Sequence, residues 1–149
     1  MDNEFVSWFD RSQGQWTSHR RYLYGTKKQI DNLVTEFTIK RTGDSTFGLE
    51  WGSDRNTGKM NFTIDEDLCH RDIGYYTEDP TDSKMTLVDE DTVVFETSYG
   101  GTTYREEIRL LFDDTVRLRQ TVGVRDDGKI TVVGQYYEEK TLNNNEAPE

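Results

Sequence analysis

Two arginines and a threonine alternate with other residues in the segment Arg117-Leu-Arg119-Gln-Thr121. Successive side chains of a β-strand point to opposite faces, so residues two apart share a face. A pair of guanidinium groups on one face can bind carboxylates through paired hydrogen bonds, which indicates a site for an anionic ligand. The alternative is a solvated ladder of arginines opposite Glu107 and Asp113, which contributes at most about 1 kcal/mol to stability.

Cys69 and His70 are adjacent, and His19 is the second histidine of the chain. A cysteine beside a histidine suggests a nucleophile with its base, or a metal site. One cysteine and two scattered histidines favour a structural role instead, so we assign no metal ligand. A single cysteine also excludes an internal disulfide bond. The sequence contains no glycine-rich phosphate-binding loop, which argues against a nucleotide cofactor.

The chain of 149 residues carries 29 acidic and 18 basic side chains, for a formal net charge of -11. A charge of this sign repels phosphate backbones and anionic lipids, so we expect neither nucleic acid nor a membrane surface as a partner. No apolar run approaches the roughly 20 residues that span a bilayer, and the acidic start Met1-Asp-Asn-Glu4 lacks the pattern of a signal peptide. We therefore expect a cytosolic protein.

The composition favours strands over helices. Nineteen threonines stand against the single alanine, Ala147, and β-branched residues suit a pleated sheet. Turn signals rich in Asp, Asn and Gly recur at short intervals and separate strand-length segments. These signals predict about ten strands, near residues 15–25, 31–41, 45–52, 59–65, 69–76, 84–88, 92–98, 103–112, 115–125 and 130–140.

Connections this short allow only antiparallel neighbours, so the strands should form an up-and-down meander. Ten such strands close into a barrel or split into a sandwich, and closure removes the edges that promote aggregation. Residues 3–11 form the one plausible helix. The length predicts a single domain over residues 1–142, followed by a disordered polar tail at 143–149. Only 32% of residues are hydrophobic, which suits a barrel with a partly polar centre.

Three stretches of sequence, taken in their order along the chain, form a pattern that can be compared with known families. They are Gly14-Gln-Trp16-Thr-Ser18-His-Arg20-Arg21-Tyr22, then Leu49-Glu-Trp51 with Gly58-Lys-Met60, then Arg117 to Thr121 with Tyr136-Tyr137-Glu138-Glu139. Together they resemble the S-type phycobiliprotein lyases over most of the chain. The resemblance implies a calycin or lipocalin-like, up-and-down antiparallel β-barrel with an N-terminal helix. It also implies that the protein binds an open-chain tetrapyrrole, a bilin, and delivers it to a cysteine of an apo-phycobiliprotein.

A bilin carries two propionates, which need cations. The resemblance places Arg117 and Arg119 as the paired arginines that bind them, with Thr121 on the same face. Arg20 and Arg21 match the opening segment of the family, but adjacent strand residues point oppositely, so only one can face the pocket. We assign Arg20.

A bilin also has four pyrrole-type nitrogens and a flat conjugated body. The resemblance implies that Glu107 and Glu139 face those nitrogens and favour the protonated, cationic tetrapyrrole. Trp51, Tyr137 and Trp16 would supply stacking walls. A surface role for Glu139 fits the sequence nearly as well, and the two tryptophans fit a plain core equally well.

The function implied by the resemblance is a lyase that attaches a bilin, which we expect to be phycoerythrobilin, by a thioether bond to an apo-phycobiliprotein, which we expect to be a phycoerythrin subunit. The bilin is a bound substrate, and we expect no permanently bound cofactor. The alternative is a non-catalytic carrier of a fatty acid or other small carboxylate, which transfer activity would distinguish. If the arginines face inward, Val116, Leu118, Ile108 and Leu110 should face outward, so we expect a homodimer or a cover from the N-terminal helix.

Overall fold

The computed structural model describes residues 3–25, 30–52, 57–73 and 79–141. Within these ranges the chain forms one helix followed by ten strands. The helix is α1 (Glu4–Arg11), and the strands are β1 (Gly14–Tyr24), β2 (Ile30–Arg41), β3 (Thr46–Gly52), β4 (Thr57–Asp65), β5 (Leu68–Arg71), β6 (Thr81–Asp89), β7 (Thr92–Tyr99), β8 (Thr102–Leu111), β9 (Val116–Arg125) and β10 (Ile130–Lys140). The predicted tail at 143–149 and residues 74–76 of the predicted fifth strand lie outside the described residues.

Each strand pairs antiparallel with its neighbours in sequence. β10 returns to pair with β1, with Arg20 opposite Tyr136, and this pairing closes the sheet into a barrel. The predicted all-β, up-and-down barrel with an N-terminal helix is confirmed. Because the sheet closes on itself, the strands of the described wall satisfy one another's backbone hydrogen bonds and leave no open edge.

Strand β6 is longer than the sequence predicts, since it begins at Thr81 rather than near residue 84. The turn-like composition around Asp82 obscured this start. Thr81 lies opposite Arg71 and Asp82 lies opposite His70, so pairing with the short strand β5 extends β6. Tertiary pairing overrides local turn propensity in this segment.

Helix α1 covers one end of the barrel, which we call the closed end; the opposite end is the mouth. Asn3 caps the helix, because its side-chain oxygen accepts a hydrogen bond from the Phe5 backbone N–H at 2.8 Å. Trp8 and Phe9 are buried, and Trp8 Nε1 donates to the carbonyl oxygen of Asp91 at 2.9 Å. Because its apolar side chains are buried on one face, the short helix closes this end of the barrel, and we refer to it as the plug.

Ion pairs fasten α1 to the surrounding strands and turns. Arg11 Nη2 lies 2.5 Å from an Asp91 carboxylate oxygen and 2.8 Å from one of Asp114. Asp10 accepts from Arg41 Nη1 at 2.6 Å. These pairs are partly exposed, so each contributes at most about 1 kcal/mol. No helix in the described ranges has the length and apolarity of a membrane span.

The barrel interior changes character along its axis. Next to α1 it is filled by aromatic and aliphatic side chains, with the Phe9 ring 4.9 Å from the Phe62 ring and 5.4 Å from the Phe47 ring. The buried apolar cluster consists of Trp8, Phe9, Trp16, Phe37, Ile39, Phe47, Leu49, Phe62, Ile64, Cys69, Met85, Val93, Phe95, Ile108 and Leu110. Toward the mouth, buried charged and hydroxyl side chains replace this packing.

Candidate functional site

Five charged side chains are buried among the described residues, and we call the four that lie on neighbouring strands the charged layer: Glu106 of β8, Arg117 and Arg119 of β9, and Glu138 of β10. The Arg119 guanidinium bridges the two carboxylates, with Nη1 3.0 Å from Glu138 Oε2 and Nη2 2.9 Å from Glu106 Oε2. Arg117 Nε lies 3.1 Å from Glu138 Oε1. Thr121 Oγ1 donates to Glu106 Oε2 at 3.0 Å. Alternation along β9 therefore directs Arg117, Arg119 and Thr121 together into the interior.

The two glutamates of the charged layer are held ionised by their neighbours. Burial alone would raise the pKa of Glu106, but the charges of Arg119 and Arg71 bring that pKa below its ordinary value. Burial of Glu138 is likewise outweighed by the charges of Arg119 and Arg117, so its pKa is also lowered. At neutral pH the layer therefore presents carboxylates rather than carboxylic acids.

Aromatic rings lie against the arginines of the charged layer. The Arg117 guanidinium is 5.4 Å from the Trp16 ring centroid, and the Arg119 guanidinium is 4.5 Å from that of Tyr136. Arg20 lies 5.4 Å from the same Tyr136 ring. Ring faces attract cations, and more strongly where water is excluded, so the rings help to hold the guanidinium groups in place.

Arg20 is half-buried on the inward side of β1, whereas Arg21 is exposed on the outer side. Arg20 Nε donates to Ser18 Oγ at 3.0 Å, and its Nη1 lies 3.5 Å from the Tyr22 hydroxyl. Of the two adjacent arginines, the structure thus directs Arg20 toward the interior. It lies in the same cross-strand row as Tyr136 and as Arg119 of the charged layer.

The two tryptophans considered as stacking walls occupy different environments. Trp16 belongs to the closed end, where it is buried and its Nε1 donates to the Ser12 carbonyl oxygen at 3.0 Å. Trp51 of β3 is half-buried and lies opposite Phe37, on the inward side. Its ring covers Gly58, where a Cβ atom would lie 2.1 Å from Trp51 Cζ2. Glycine at position 58 therefore lets the indole lie flat against the wall.

Three predicted site residues lie on the outer face, and their neighbours in sequence take the inward positions. The outer residues are Glu107, Tyr137 and Glu139, and the inner ones are Glu106, Tyr136 and Glu138. Directly opposed residues share a face, and Arg119 lies opposite both Tyr136 and Ile108. The prediction that Glu107 and Glu139 face the pocket is therefore wrong, because a shift of one residue reverses the face.

The aliphatic residues expected on the outer face divide between the two sides. Leu118 is exposed and Val116 is half-buried on the outer side of β9, as predicted from the inward arginines. Ile108 and Leu110 are buried inside the barrel instead. β8 runs from the mouth toward the closed end, with Glu106 near the middle of its inward face and Ile108 and Leu110 next to the closed end. Its inward face is therefore polar over only part of its length.

Sequence reasoning missed Arg71 of β5, which is buried in the barrel wall. Its guanidinium donates to the Ser83 hydroxyl and lies 5.5 Å from the Phe95 ring centroid. A cavity of about 30 Å³ borders Arg71, Glu106 and Thr121. The signal was available, because Arg71 stands two residues after Cys69 in the same strand and so shares the face of that apolar side chain.

Cys69 and His70 point to opposite faces of β5 and form no catalytic pair. Cys69 is buried, and burial raises the pKa of its thiol. His70 lies outside, where its Nδ1 is 2.6 Å from an Asp82 carboxylate oxygen and its Nε2 is 3.8 Å from one of Asp65. Across the described ranges, no group of three or more His, Cys, Asp and Glu side chains could hold a metal ion.

Comparisons with known proteins agree with the resemblance found in the sequence. A family model described as CpeS-like protein matches residues 63–141. A protein of Picosynechococcus sp. that is named as a candidate chromophore lyase, CpcV, is 31% identical over 89% of this chain and 79% of its own length. A chromophore lyase CpcS/CpeS homolog of Porphyra purpurea is 25% identical over 80% of this chain and 87% of its own length.

The fold has a close counterpart among solved structures. The S-type phycobiliprotein lyase CPES from Guillardia theta superposes on this barrel with a TM-score of 0.68, covering 93% of each chain at 17% identity. Identity this low supports the fold alone. The family model spans more than half of the sequence, however, and includes all of the charged layer. The resemblance is confirmed, and the chain belongs to the CpeS-like family.

Proposed function

We propose that this protein is a chromophore lyase that binds phycoerythrobilin at the barrel mouth and attaches it to a cysteine of an apo-phycobiliprotein, a phycoerythrin subunit. Two of its relatives are named chromophore lyases or candidates for that activity. The observation that carries the proposal is the charged layer, in which two arginines and two ionised glutamates are buried inside the barrel. Buried ion pairs rarely stabilise a fold better than apolar packing would, so their presence supports a role in binding.

The charged layer fits the chemistry of a bilin. Arg117, Arg119 and Arg20 supply guanidinium groups for propionates, while Glu106 and Glu138 supply carboxylates for protonated pyrrole nitrogens. The nearby cavity of about 30 Å³ has room for about one or two waters. Binding therefore requires side chains to move apart, and we propose that the propionates replace part of the arginine–glutamate pairing while the conjugated body lies against Trp51 at the mouth.

The proposed reaction is addition of a thiol to the ethylidene double bond of bilin ring A. The thiolate sulfur of the acceptor cysteine forms the new C–S bond, the carbon–carbon π bond breaks, and a proton is delivered to the adjacent ring carbon. No oxidant or reductant is consumed. The protein contributes protonation of the tetrapyrrole, which makes the double bond a better acceptor, together with alignment and exclusion of side reactions. We place this reaction in the cytosol, with the bilin as a bound substrate and no permanently bound cofactor.

The bilin spectrum tests the carboxylate assignment. Mixing the purified protein with phycoerythrobilin should give a red-shifted absorbance typical of the protonated tetrapyrrole. Glu138→Gln and Glu106→Gln should each reduce that shift, because they remove a carboxylate from the interior. Glu139→Gln and Glu107→Gln are matched controls on the outer face and should leave the spectrum unchanged. A wild-type spectrum equal to that of free bilin would overturn the proposal.

A transfer assay distinguishes the lyase from a carrier of a fatty acid or other small carboxylate. The bilin-loaded protein is incubated with an apo-phycoerythrin subunit, and the covalent product is followed by fluorescence after denaturing electrophoresis. A lyase should yield a fluorescent adduct that is lost when the acceptor cysteine is changed to serine. Bilin binding without any adduct would favour the carrier.

We also propose that the protein is a homodimer. Exposed apolar side chains extend over the outer side of four adjacent strands, β2, β1, β10 and β9: Leu23, Ile30, Val34, Leu118 and Tyr137. A row of polar residues that includes Arg21, Gln135 and Gln120 separates Leu23 and Ile30 from the others. Exposed apolar side chains clustered on one face mark an interface in soluble proteins. Analytical ultracentrifugation should show a dimer that Leu118→Lys dissociates, whereas Val88→Lys, an exposed control on β6, should not. A monomeric wild-type protein would contradict this arrangement.

A further inference from the structure

An aromatic ring lies directly opposite a glycine at two places in the barrel wall. Trp51 of β3 is paired with Gly58 of β4, and Tyr104 of β8 is paired with Gly123 of β9. A Cβ atom at position 123 would lie 3.0 Å from Tyr104 Cε1, and one at position 58 would lie 2.1 Å from Trp51 Cζ2. Any residue larger than glycine would therefore push the opposite ring away from the wall.

The two ring–glycine pairs stand on opposite walls of the mouth. In the closed sheet, β8 lies five strands from β3 in either direction, and β9 lies five strands from β4 in the same way. Trp51 is the last residue but one of β3, and Tyr104 is the third residue of β8, which begins at the mouth. Both side chains are half-buried. Each ring therefore exposes part of its surface at the mouth.

Tyr104 forms part of a larger aromatic surface on its wall. The ring of Tyr99, from β7, stacks on it with the ring centroids 5.1 Å apart and the ring planes 27° apart. Both tyrosines border the cavity of about 30 Å³ that Glu106 and Thr121 also border. A flat ligand that enters beside the charged layer therefore contacts these two rings.

The interior is open at the mouth. Leu33 of β2 lies opposite Arg20 and so shares its inward face, yet Leu33 is 53% exposed. At the closed end, by contrast, the inward Phe47 and Phe95 are at most 2% exposed. Each ring at the mouth occupies the room that a side chain at the opposite glycine would take, so it lies along the wall and leaves the centre open. Rings in this arrangement suit a flat ligand better than they fill a core.

We infer that the Tyr99–Tyr104 pair is a second aromatic surface for the bilin, so that the conjugated body is held between this pair and Trp51. This inference rests on the proposed function and deepens it. Aromatic faces stack on conjugated rings through dispersion and complementary charge distribution, and such contacts stabilise beyond the area they bury. A saturated hydrocarbon chain offers no flat face for this contact. The two aromatic walls therefore favour a conjugated tetrapyrrole over a fatty acid.

The first test maps the contact on the unaltered protein. Protein with isotope-labelled tyrosine and tryptophan rings is saturated with phycoerythrobilin, and NMR records nuclear Overhauser effects between ring protons and bilin protons. We expect such effects at Tyr99, Tyr104 and Trp51. Tyr137 is exposed on the outer face and should show none. Effects at Trp51 without any at Tyr99 or Tyr104 would overturn the inference.

The second test measures what the contact contributes to affinity, by absorbance titration. Tyr104→Leu removes the ring and should weaken bilin binding by about fivefold or more. Tyr104→Phe keeps the ring and should stay within about twofold of the unaltered protein. Gly123→Ala should weaken binding as well, because its Cβ displaces the ring. Gly48→Ala on β3 is the matched glycine control, since its nearest contact would be Asn61 Oδ1 at 3.6 Å.

A double variant separates a ligand contact from a general effect on the wall. If Gly123→Ala acts through the ring, adding it to Tyr104→Leu should cause no further loss of affinity. Additive losses would contradict the role assigned to Gly123. Unchanged affinity in Tyr104→Leu, or equal losses in Tyr104→Leu and Tyr104→Phe, would overturn the inference.

The outcomes also separate this inference from the proposed function. If Tyr104→Leu fails to fold, as judged by circular dichroism, the nuclear Overhauser effects in the unaltered protein decide the question. If the unaltered protein binds no bilin at all, the proposed function fails and this inference fails with it. Bilin binding that is unaffected by loss of the Tyr104 ring overturns this inference alone.

Discussion

The closed end of the barrel and the charged layer occupy one continuous interior, yet they are built from opposite kinds of side chain. At the closed end, Trp8 and Phe9 pack against phenylalanine rings, and the apolar surface removed from water stabilises the fold. In the charged layer, Arg119 lies between two buried glutamates, and much of its attraction to them is offset by the loss of hydration. The first region accounts for stability, while the second keeps groups that suit a ligand.

The largest expected effect comes from breaking the closed end. Trp8→Ala removes the largest apolar contact of the plug and its hydrogen bond to the Asp91 carbonyl, so it should lower the free energy of unfolding by about 5 kcal/mol. Urea denaturation measures this loss. Phe112→Ala is the control, because Phe112 is 77% exposed and its removal should change stability by less than about 0.5 kcal/mol. Equal losses in the two variants would mean that α1 is not a structural plug.

Removing the bridging arginine should have the next largest effect. Arg119→Ala leaves Glu106 and Glu138 buried without their shared cation, which should cost about 3 kcal/mol at neutral pH. Urea denaturation at pH 7 measures this cost. Replacing the glutamates as well, in Arg119→Ala with Glu106→Gln and Glu138→Gln, should restore part of the stability. If the triple variant is less stable than the single one, the cost does not arise from unpaired buried charge.

A smaller effect should appear in the acid dependence of stability. The folded pKa of Glu106 and of Glu138 lies below the ordinary value near 4.5, so the unfolded chain binds protons first as the pH falls. Their contribution to stability is therefore complete above that ordinary value and is lost as the pH drops through the folded pKa. Unfolding in urea over this acid range should show a flatter pH dependence for Glu138→Gln. Glu139→Gln should keep the wild-type slope, and identical slopes for both variants would contradict the prediction.

The smallest effect concerns His70, whose ion pair with Asp82 is exposed, unlike the buried pairs of the charged layer. A hydrogen bond to Asp82, followed by attraction from Asp82 and Asp65, raises the pKa of His70 above 6.5. Asp82→Asn should bring that pKa back toward 6.5, as measured by NMR titration of the ring protons. Asp65→Asn should lower it less, because that carboxylate is 3.8 Å away rather than 2.6 Å. A larger fall in Asp65→Asn would reverse the assignment of the principal partner.

The elements of the fold followed from local signals. Spacing of turn residues placed the strands within a few residues of their observed bounds, and the spacing of Phe5, Trp8 and Phe9 placed the helix. One exception was β5, which ends at Arg71 rather than continuing toward residue 76. The other was β6, whose first residues around Asp82 resemble a turn and become a strand only through pairing with β5. Local composition could not show that pairing. β5 and β6 are separate segments, and no local pattern in the residues between them indicates that they pair.

The inward site residues were predicted correctly on β9, but the wrong glutamates were chosen on β8 and β10. Along β9 the alternation of Arg117, Arg119 and Thr121 makes a single polar face, so their joint placement was readable from the sequence. On β10 and β8 the sequence offers Glu138 beside Glu139 and Glu106 beside Glu107. Each pair consists of identical residues, so composition and periodicity give no reason to choose between its members.

Sequence alone determined that this protein consists of short antiparallel strands, one of them with an arginine-bearing face, because strand alternation and turn chemistry are local properties. Those local signals left a barrel and a sandwich open, and the barrel followed from the family resemblance. Tertiary structure decided which glutamates join those arginines and that Arg71 faces them from the opposite wall. The physical reason is that strand register has a period of two, so the side that a residue faces is fixed only when strands from distant parts of the chain pair. In this barrel the pairing of β9 with β8 and β10 selects Glu106 and Glu138.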